Sequence, residues 1–152
     1  MKRFAYRLET VLDYKTQVLD NLKTEHAAIV QNVNKKQEEI RGLHQELSGY
    51  EDGFDQMKMA GATIQNYLLF DMCIEHMEKR IDEEKQHLYV LKQQEDAKKQ
   101  EVIEAKVDTS RYEKLKDRKL KEYQRAVAKA DETFVEEFVM GSNLRMRTQH
   151  RG

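Results

Sequence analysis

Apolar residues recur in alternating steps of four and three along the first 57 residues of the chain. This spacing places them in one stripe on a single helix face, because seven residues make about two helical turns. The repeat lasts for seven heptads, and twelve of its fifteen positions are apolar. These positions, here called seam 1, are Leu8, Leu12, Lys15, Leu19, Leu22, His26, Ile29, Val33, Lys36, Ile40, Leu43, Leu47, Tyr50, Phe54 and Met57. A repeat of this length predicts a long coiled-coil helix.

A second repeat follows a break at residues 59–63. Gly61 can adopt the left-handed conformation that ends a helix, and Thr63 can cap the next one. The second set, seam 2, contains Tyr67, Phe70, Ile74, Met77, Ile81, Glu84, Leu88, Leu91, Glu95, Lys98, Val102, Ala105, Thr109 and Tyr112. The pattern then continues more loosely through Leu115, Tyr123, Ala126, Ala130, Phe134 and Phe138.

These repeats predict an all-α fold, a long antiparallel two-helix coiled-coil hairpin that forms a single domain over residues 1–141. We expect helix 1 at about 5–58, the turn at 59–63 and helix 2 at about 64–140. Gly141 is expected to end helix 2, which leaves residues 142–152 as a flexible basic tail.

The polar positions of the two seams predict how the helices align. If the chain folds back at Gly61, facing residues have numbers that sum to 120 or 121. This register places Lys36 opposite Glu84 and His26 opposite Glu95, so that polar groups meet polar groups. A shift by one heptad would strand them among apolar residues. Two further lysines lie opposite uncharged residues: Lys15 faces Ala105, and Lys98 faces Leu22 and is expected to have no partner.

Composition supports a narrow apolar interface and excludes several classes of protein. Charged residues make up 36% of the chain, and there is no proline to interrupt a helix. Cys73 is the single cysteine, so no internal disulfide can form, and a reducing compartment is expected. The first seven residues lack the apolar stretch of a secretion signal, and the longest apolar run, residues 67–70, is too short to span a bilayer. We therefore expect a cytosolic protein with no direct membrane insertion.

No pattern of catalytic residues is present, and we predict that the protein is not an enzyme and binds no cofactor or metal. The sequence has no phosphate-binding glycine loop, no HExxH and no CxxC. His76 and His87 are interpreted as solvated residues of one helix face. Cys73 could be a reactive thiol, but a small apolar residue beside the seam is the favoured interpretation. His26 and Glu95 are interpreted as a register pair, not as an acid–base pair.

Charge is distributed unevenly although the net charge is only −1. Residues 111–125 carry seven basic and three acidic side chains, whereas residues 36–58 carry six acidic and three basic ones. The basic run could bind nucleic acid, but its acidic neighbours and its few aromatic residues favour a solvated helical face or a protein-docking surface. Acidic residues on the polar faces likewise disfavour a membrane-surface helix. We therefore expect no nucleic-acid partner.

An apolar cluster near the end of helix 2 lies beyond the reach of helix 1. It comprises Phe134, Val135, Phe138, Val139 and Met140. Either helix 1 curls back over these residues or another protein covers them, and the second interpretation is favoured.

The N-terminal residues also resemble a known family. Residues 4–15, Phe-Ala-Tyr-Arg-Leu-Glu-Thr-Val-Leu-Asp-Tyr-Lys, are similar to the opening segment of the flagellar FliJ family, a helical-hairpin component of the bacterial type III export apparatus. Asp131 and Glu132 followed by Phe134 resemble the closing segment of that family. The chain departs from the family in its basic tail and in having no tryptophan.

The resemblance implies a stalk that is similar to the γ subunit of rotary ATPases. In this family the terminal end inserts into the ring of the hexameric export ATPase, and the part nearer the turn contacts the membrane export-gate protein. Members also escort and recycle export chaperones, and they are held peripherally at the cytoplasmic face of the membrane. The alternative is a generic structural coiled-coil adaptor or tether.

Two sets of candidate site residues follow from the resemblance. By position, the gate contact would include Leu43, Tyr50, Cys73 and Met77. Three of these four are also seam positions, which conflicts with a purely buried role. The basic terminal end supplies the candidate ATPase contact, formed by Arg118, Lys119, Lys121, Arg125, Phe134 and Phe138.

Overall fold

The computed structural model describes residues 2–150 and contains two α-helices. Helix α1 is Glu9–Ala60 and helix α2 is Ile64–His150. No strand occurs in the described part of the chain. The all-α class and the two-helix hairpin plan are therefore confirmed.

Residues 61–63 form the turn between the helices. Gly61 has a φ of 75°, in the left-handed region where a side chain would be strained. The Thr63 hydroxyl accepts a hydrogen bond from the backbone N–H of Asn66 at 3.3 Å, and the Thr63 carbonyl accepts from the N–H of Tyr67 at 3.2 Å. One residue thus ends α1 and another caps α2.

Both outer helix ends differ from the prediction. Helix α1 begins at Glu9 and not near residue 5, because residues 2–6 form no regular secondary structure and residues 7 and 8 form a turn. Helix α2 continues through Gly141 to His150, so the expected flexible tail from residue 142 is wrong as far as residue 150. A glycine inside a helix costs only about 1 kcal/mol, and no proline follows that would stop the helix. Arg151 and Gly152 lie outside the described residues.

Residues Leu19–Glu104 form one compact unit in which the two seams meet. Its tightest packing is a cluster of Leu43, Met77 and Ile81, against which Leu47 packs. Nearer the turn, the rings of Phe54 and Tyr67 meet edge to face with centroids 5.9 Å apart. Every seam position in this unit is buried or half-buried except Tyr50. The predicted stripes are therefore the surfaces that pack.

The polar positions of this unit also pair. The Lys36 ammonium lies 2.6 Å from the Glu84 carboxylate and 3.0 Å from Glu39. The hydrogen bond from Lys36 lowers the pKa of Glu84, and the hydrogen bonds to Glu84 and Glu39 raise the pKa of Lys36. The predicted Lys36–Glu84 pairing is confirmed.

The three other polar seam positions of this unit, His26, Glu95 and Lys98, behave differently. Nε2 of His26 lies 3.8 Å from Oε1 of Glu95, beyond hydrogen-bond distance, and this buried atom has no hydrogen-bond partner among the described residues. The expectation that Lys98 has no partner is wrong. Its ammonium lies 2.9 Å from Glu25 and 2.9 Å from Glu101, because its long side chain reaches carboxylates beside the seam.

Residues 2–18 and 105–150 form the second compact unit. Leu12 and Thr109 are buried here, and the Thr109 hydroxyl donates to the Ala105 carbonyl at 2.7 Å. Lys15 was expected to face Ala105, and its ammonium instead reaches Asp108, at 2.5 Å. Lys116 pairs with Glu9 at 2.8 Å, which ties the first turn of α1 to α2.

The Lys36–Glu84 pair supplies a test of register. Lys36→Glu places two carboxylates together and should lower the thermal midpoint by about 2–4 °C. Adding Glu84→Lys restores opposite charges and should recover part of that loss. The measurement is a double-mutant cycle of thermal unfolding followed by circular dichroism. The matched control is reversal of the exposed pair formed by Glu38 and Arg41 within α1, which should change little.

The coupling should also depend on pH. Because folding lowers the pKa of Glu84, its contribution is complete above the pKa of the unfolded chain and is lost as pH falls through the folded value. The raised pKa of Lys36 makes its contribution complete below the unfolded pKa, with loss as pH rises through the folded value. Additive single-site effects at neutral pH would show that the two residues do not face each other.

Candidate partner-binding surfaces

The four candidate gate residues do not form one exposed face. Leu43 and Met77 are only 7% and 5% exposed and belong to the packed cluster with Ile81. Tyr50 is 39% exposed, and Cys73 is half-buried. A partner can therefore reach Tyr50 and Cys73 directly, whereas contact with Leu43 or Met77 would require the helices to separate.

Tyr50 and Cys73 line a shallow apolar groove, here called the Tyr50 groove. It has a volume of about 150 Å³, and its other walls are Leu69 and Phe70. The Phe70 ring forms the floor of the groove and packs against α1 at Gly53. A Cβ atom on Gly53 would lie 3.2 Å from Cε1 of Phe70, so the absence of a side chain makes room for the ring. The structure thus brings together one α1 residue and three α2 residues that a partner could contact.

The candidate ATPase residues lie on α2 and are solvent-exposed. Arg118, Lys119, Lys121 and Arg125 all belong to the run of residues 111–125, which has a net charge of +4. Lys119 lies 3.5 Å from Glu122, and Lys121 lies 3.1 Å from Asp117. These exposed pairs contribute little to stability, so the positive charge remains available to a partner.

Beyond this run, α2 carries apolar residues that the described part of α1 does not cover. We call residues 131–146 the C-terminal extension. Phe134 and Phe138 are each 69% exposed. The other exposed apolar residues are Val135, Val139, Met140, Leu144 and Met146. The alternative in which helix 1 curls back over this cluster is not observed, and the cluster is free for a partner.

A further surface was missed by the sequence analysis. Residues 2–8, the N-terminal segment, are not helical and pack against α2 instead of extending α1. The Tyr6 hydroxyl donates to the Tyr112 carbonyl at 3.0 Å, and the Tyr123 hydroxyl donates to the Lys2 carbonyl at 2.5 Å. The rings of Phe4 and Tyr123 also pack, with centroids 5.6 Å apart.

The N-terminal segment and α2 enclose a groove of about 800 Å³. The segment itself lines one side, and Leu115, Lys119 and Tyr123 line the other. A signal for this arrangement was present in the sequence. Phe4, Tyr6 and Leu8 alternate with Arg3, Ala5 and Arg7, and an alternation of period two is typical of an extended chain with one packed face. The seam 1 heptad, which begins at Leu8, obscured it.

Comparison with known families now identifies the chain. The family model described as "Flagellar FliJ protein" matches residues 4–147, nearly the whole sequence. The chain belongs to the FliJ family. It is therefore a flagellar, export-associated protein of a family that acts as a component of the export system and has no known enzymatic activity. Comparisons with curated proteins and with solved structures gave no significant match.

Two other properties of this FliJ-family chain bear on its surfaces. No helix within residues 2–150 is long and apolar enough to cross a membrane. The same residues contain no group of three or more His, Cys, Asp or Glu side chains arranged to hold a metal ion.

The N-terminal segment of this FliJ-family chain can be tested through Tyr6. Tyr6→Phe removes the hydroxyl that bonds the Tyr112 carbonyl and should lower the free energy of unfolding by about 0.5–1.5 kcal/mol. Hydrogen exchange should show faster loss of protection around residues 112–123. Tyr14→Phe is the matched control, because Tyr14 is 65% exposed on α1. Equal effects of the two substitutions would show that residues 2–8 do not dock on α2.

Proposed function

We propose that this FliJ-family chain is a γ-like stalk that binds the hexameric export ATPase and the membrane export-gate protein. The observation that carries the proposal is the presence of two separate surfaces outside the helix seam. One combines the basic residues of 111–125 with the exposed apolar residues of the C-terminal extension. The other is the Tyr50 groove, whose α1 wall lies within the net-acidic residues 36–58.

The ATPase contact is assigned to the first surface on physical grounds. Exposed basic residues such as Arg118 and Arg125 accelerate encounter with an acidic partner but add little affinity alone. The apolar residues add the affinity, because Phe134 and Phe138 lie one helical turn apart and can enter a single pocket or cleft. A helix end that carries both kinds of residue suits insertion into the opening of a ring.

The gate contact is assigned to the Tyr50 groove. Tyr50 is a partly exposed aromatic residue beside a small apolar cavity, and Tyr is a frequent anchor of protein interfaces. Leu43 and Met77 support this surface through packing with Ile81 and do not contact the partner. This interpretation explains how Leu43 and Met77 can be buried seam residues and still matter for the binding face.

The remaining parts of the proposal follow from family membership. The chain is proposed to escort and recycle export chaperones and to be held peripherally at the cytoplasmic face of the membrane through the export apparatus. It performs no chemistry in this scheme. Its action is to transmit contact between partners, which requires a stiff paired helix and not a pocket for a substrate.

Removal of residues 134–152 tests the ATPase contact. The purified export ATPase hydrolyses ATP, and the truncated chain should no longer stimulate this hydrolysis, because Phe134 and Phe138 are both lost. Neutralising Arg118, Lys119, Lys121 and Arg125 with glutamine should weaken binding and reduce its dependence on salt. Helicity and thermal midpoint are recorded by circular dichroism. The truncated chain should lose only the helical signal of residues 134–150, and both variants should keep a thermal midpoint close to wild type, since residues 131–140 are all exposed. Wild-type stimulation by a folded truncated chain would contradict this orientation and favour the simple tether.

The gate contact is tested at the Tyr50 groove. Tyr50→Ala together with Leu69→Ser removes two exposed walls and should weaken binding to the purified cytoplasmic part of the gate protein at least tenfold, with loss of motility. ATPase stimulation should be retained. The matched control is Tyr89→Ala, which removes a 62%-exposed tyrosine elsewhere on α2. Unchanged gate affinity in the double variant would remove the groove from the interface.

A further inference from the structure

The first turns of α2 are apolar on two faces, and only one of them is used in the hairpin. Tyr67, Phe70 and Ile74 of seam 2 face α1. Ile64, Leu68 and Met72 recur at intervals of four, so they lie on another face of the helix. These three residues, here called the apolar stripe, are 76%, 58% and 66% exposed. Packing between the two helices therefore does not explain why these three residues are apolar.

The stripe continues into neighbouring apolar surface. Leu69 is 58% exposed and also lines the Tyr50 groove, and Met59 before the turn is 90% exposed. Single exposed apolar side chains are ordinary, but five within fourteen residues form a patch of the kind that marks an interaction site. Their exposure in the unbound chain means that a partner would gain by removing them from water.

The surroundings of the stripe are strongly acidic. Residues 50–78 contain six exposed carboxylates, Glu51, Asp52, Asp55, Asp71, Glu75 and Glu78. The single basic residue in this range is Lys58, whose ammonium lies 4.1 Å from the centre of the Phe54 ring. Asp71 and Glu75 follow Leu68 and Met72 by three residues, so both carboxylates border the stripe. An apolar strip bordered by negative charge selects a partner of complementary composition.

Charge decides among the possible occupants. Pairing of two copies through their stripes would bring together two regions, residues 50–78 of each copy, that each carry a net charge of −5, and an anionic membrane would be repelled in the same way. The C-terminal extension of a second copy is also a poor fit. Its apolar residues from Phe134 to Val139 are accompanied by four carboxylates, Asp131, Glu132, Glu136 and Glu137. The more basic residues 144–147 place Leu144 and Met146 two positions apart, on different sides of α2.

We propose that the apolar stripe is a docking site for a basic amphipathic helix of another protein. Ile64, Leu68 and Met72 would receive apolar side chains spaced three or four residues apart, and lysine or arginine side chains would lie over Asp71 and Glu75. The stripe extends about 12 Å along α2, at 1.5 Å per residue, so a partner helix of two to three turns covers it. This site differs from the Tyr50 groove and does not depend on the proposed ATPase or gate contacts.

The probe for this site is a synthetic fourteen-residue amphipathic peptide of leucine and lysine, labelled for fluorescence anisotropy. A peptide with glutamate in place of lysine serves as the charge control. The full chain should bind the lysine peptide and not the glutamate peptide. Leu68→Asp with Met72→Asp should weaken binding at least tenfold, and Leu68→Ser with Met72→Ser should weaken it without added charge. Asp71→Lys with Glu75→Lys should reduce binding of the lysine peptide and permit binding of the glutamate peptide.

The matched control is Tyr89→Asp with Val90→Asp, which alters two other exposed apolar residues of α2 and should leave peptide affinity unchanged. Equal affinity for wild type and the stripe variants would overturn the proposal. Two further results would assign the stripe to a different occupant and also overturn it. One is dimerisation in analytical ultracentrifugation that Leu68→Asp abolishes, and the other is flotation with phosphatidylglycerol vesicles that the same substitution abolishes.

Discussion

The packing of one narrow apolar seam in one register is the interaction on which the other features depend. Two paired helices have a single interface, so each helix can hide only one stripe of side chains. The buried cluster of Leu43, Met77 and Ile81 occupies this interface, and the Lys36–Glu84 pair disfavours displacement by a heptad. Every buried hydrophobic residue of the described chain lies in the seam, and the apolar residues outside it are consequently exposed or only half-buried. The seam therefore determines both the fold and the surfaces that partners can reach.

The sequence predicted most of this interface because a heptad repeat is a local pattern with a direct geometric meaning. The sequence-based prediction was wrong where the outcome depended on how far a side chain can reach or on small differences in free energy. Lys98 pairs with Glu25 because a flexible four-carbon side chain can leave the seam position that periodicity assigns to it. Helix α2 passes Gly141 because one glycine costs little in a long helix. Residues 2–8 are not helical, and the alternation of half-buried Phe4, Tyr6 and Leu8 with exposed neighbours was a short signal next to a much longer helical one.

The candidate sites were less predictable than the fold because exposure depends on which neighbour fills each space. The resemblance to the FliJ family placed Leu43, Tyr50, Cys73 and Met77 in one contact by their positions in the sequence. The structure instead buries Leu43 and Met77 and leaves Tyr50 and Cys73 accessible. The packing of the Phe70 ring at Gly53 forms the floor beside Tyr50, and no periodicity contains that information. The exposed site at Ile64, Leu68 and Met72 was not predicted, because a heptad repeat describes only the helix face that packs in the hairpin.

This division between seam and surface affects how substitutions at the site can be interpreted. Truncation of a buried methionine to alanine typically costs about 2–5 kcal/mol, and Met77 lies in the most tightly packed cluster. A loss of binding in Met77→Ala would therefore mix destabilisation of the hairpin with loss of contact. Tyr50 and Leu69 are at least 39% exposed, so their truncation removes contact area at small cost to the fold. Substitutions can change partner binding without changing the free energy of unfolding only at exposed residues such as Tyr50 and Leu69.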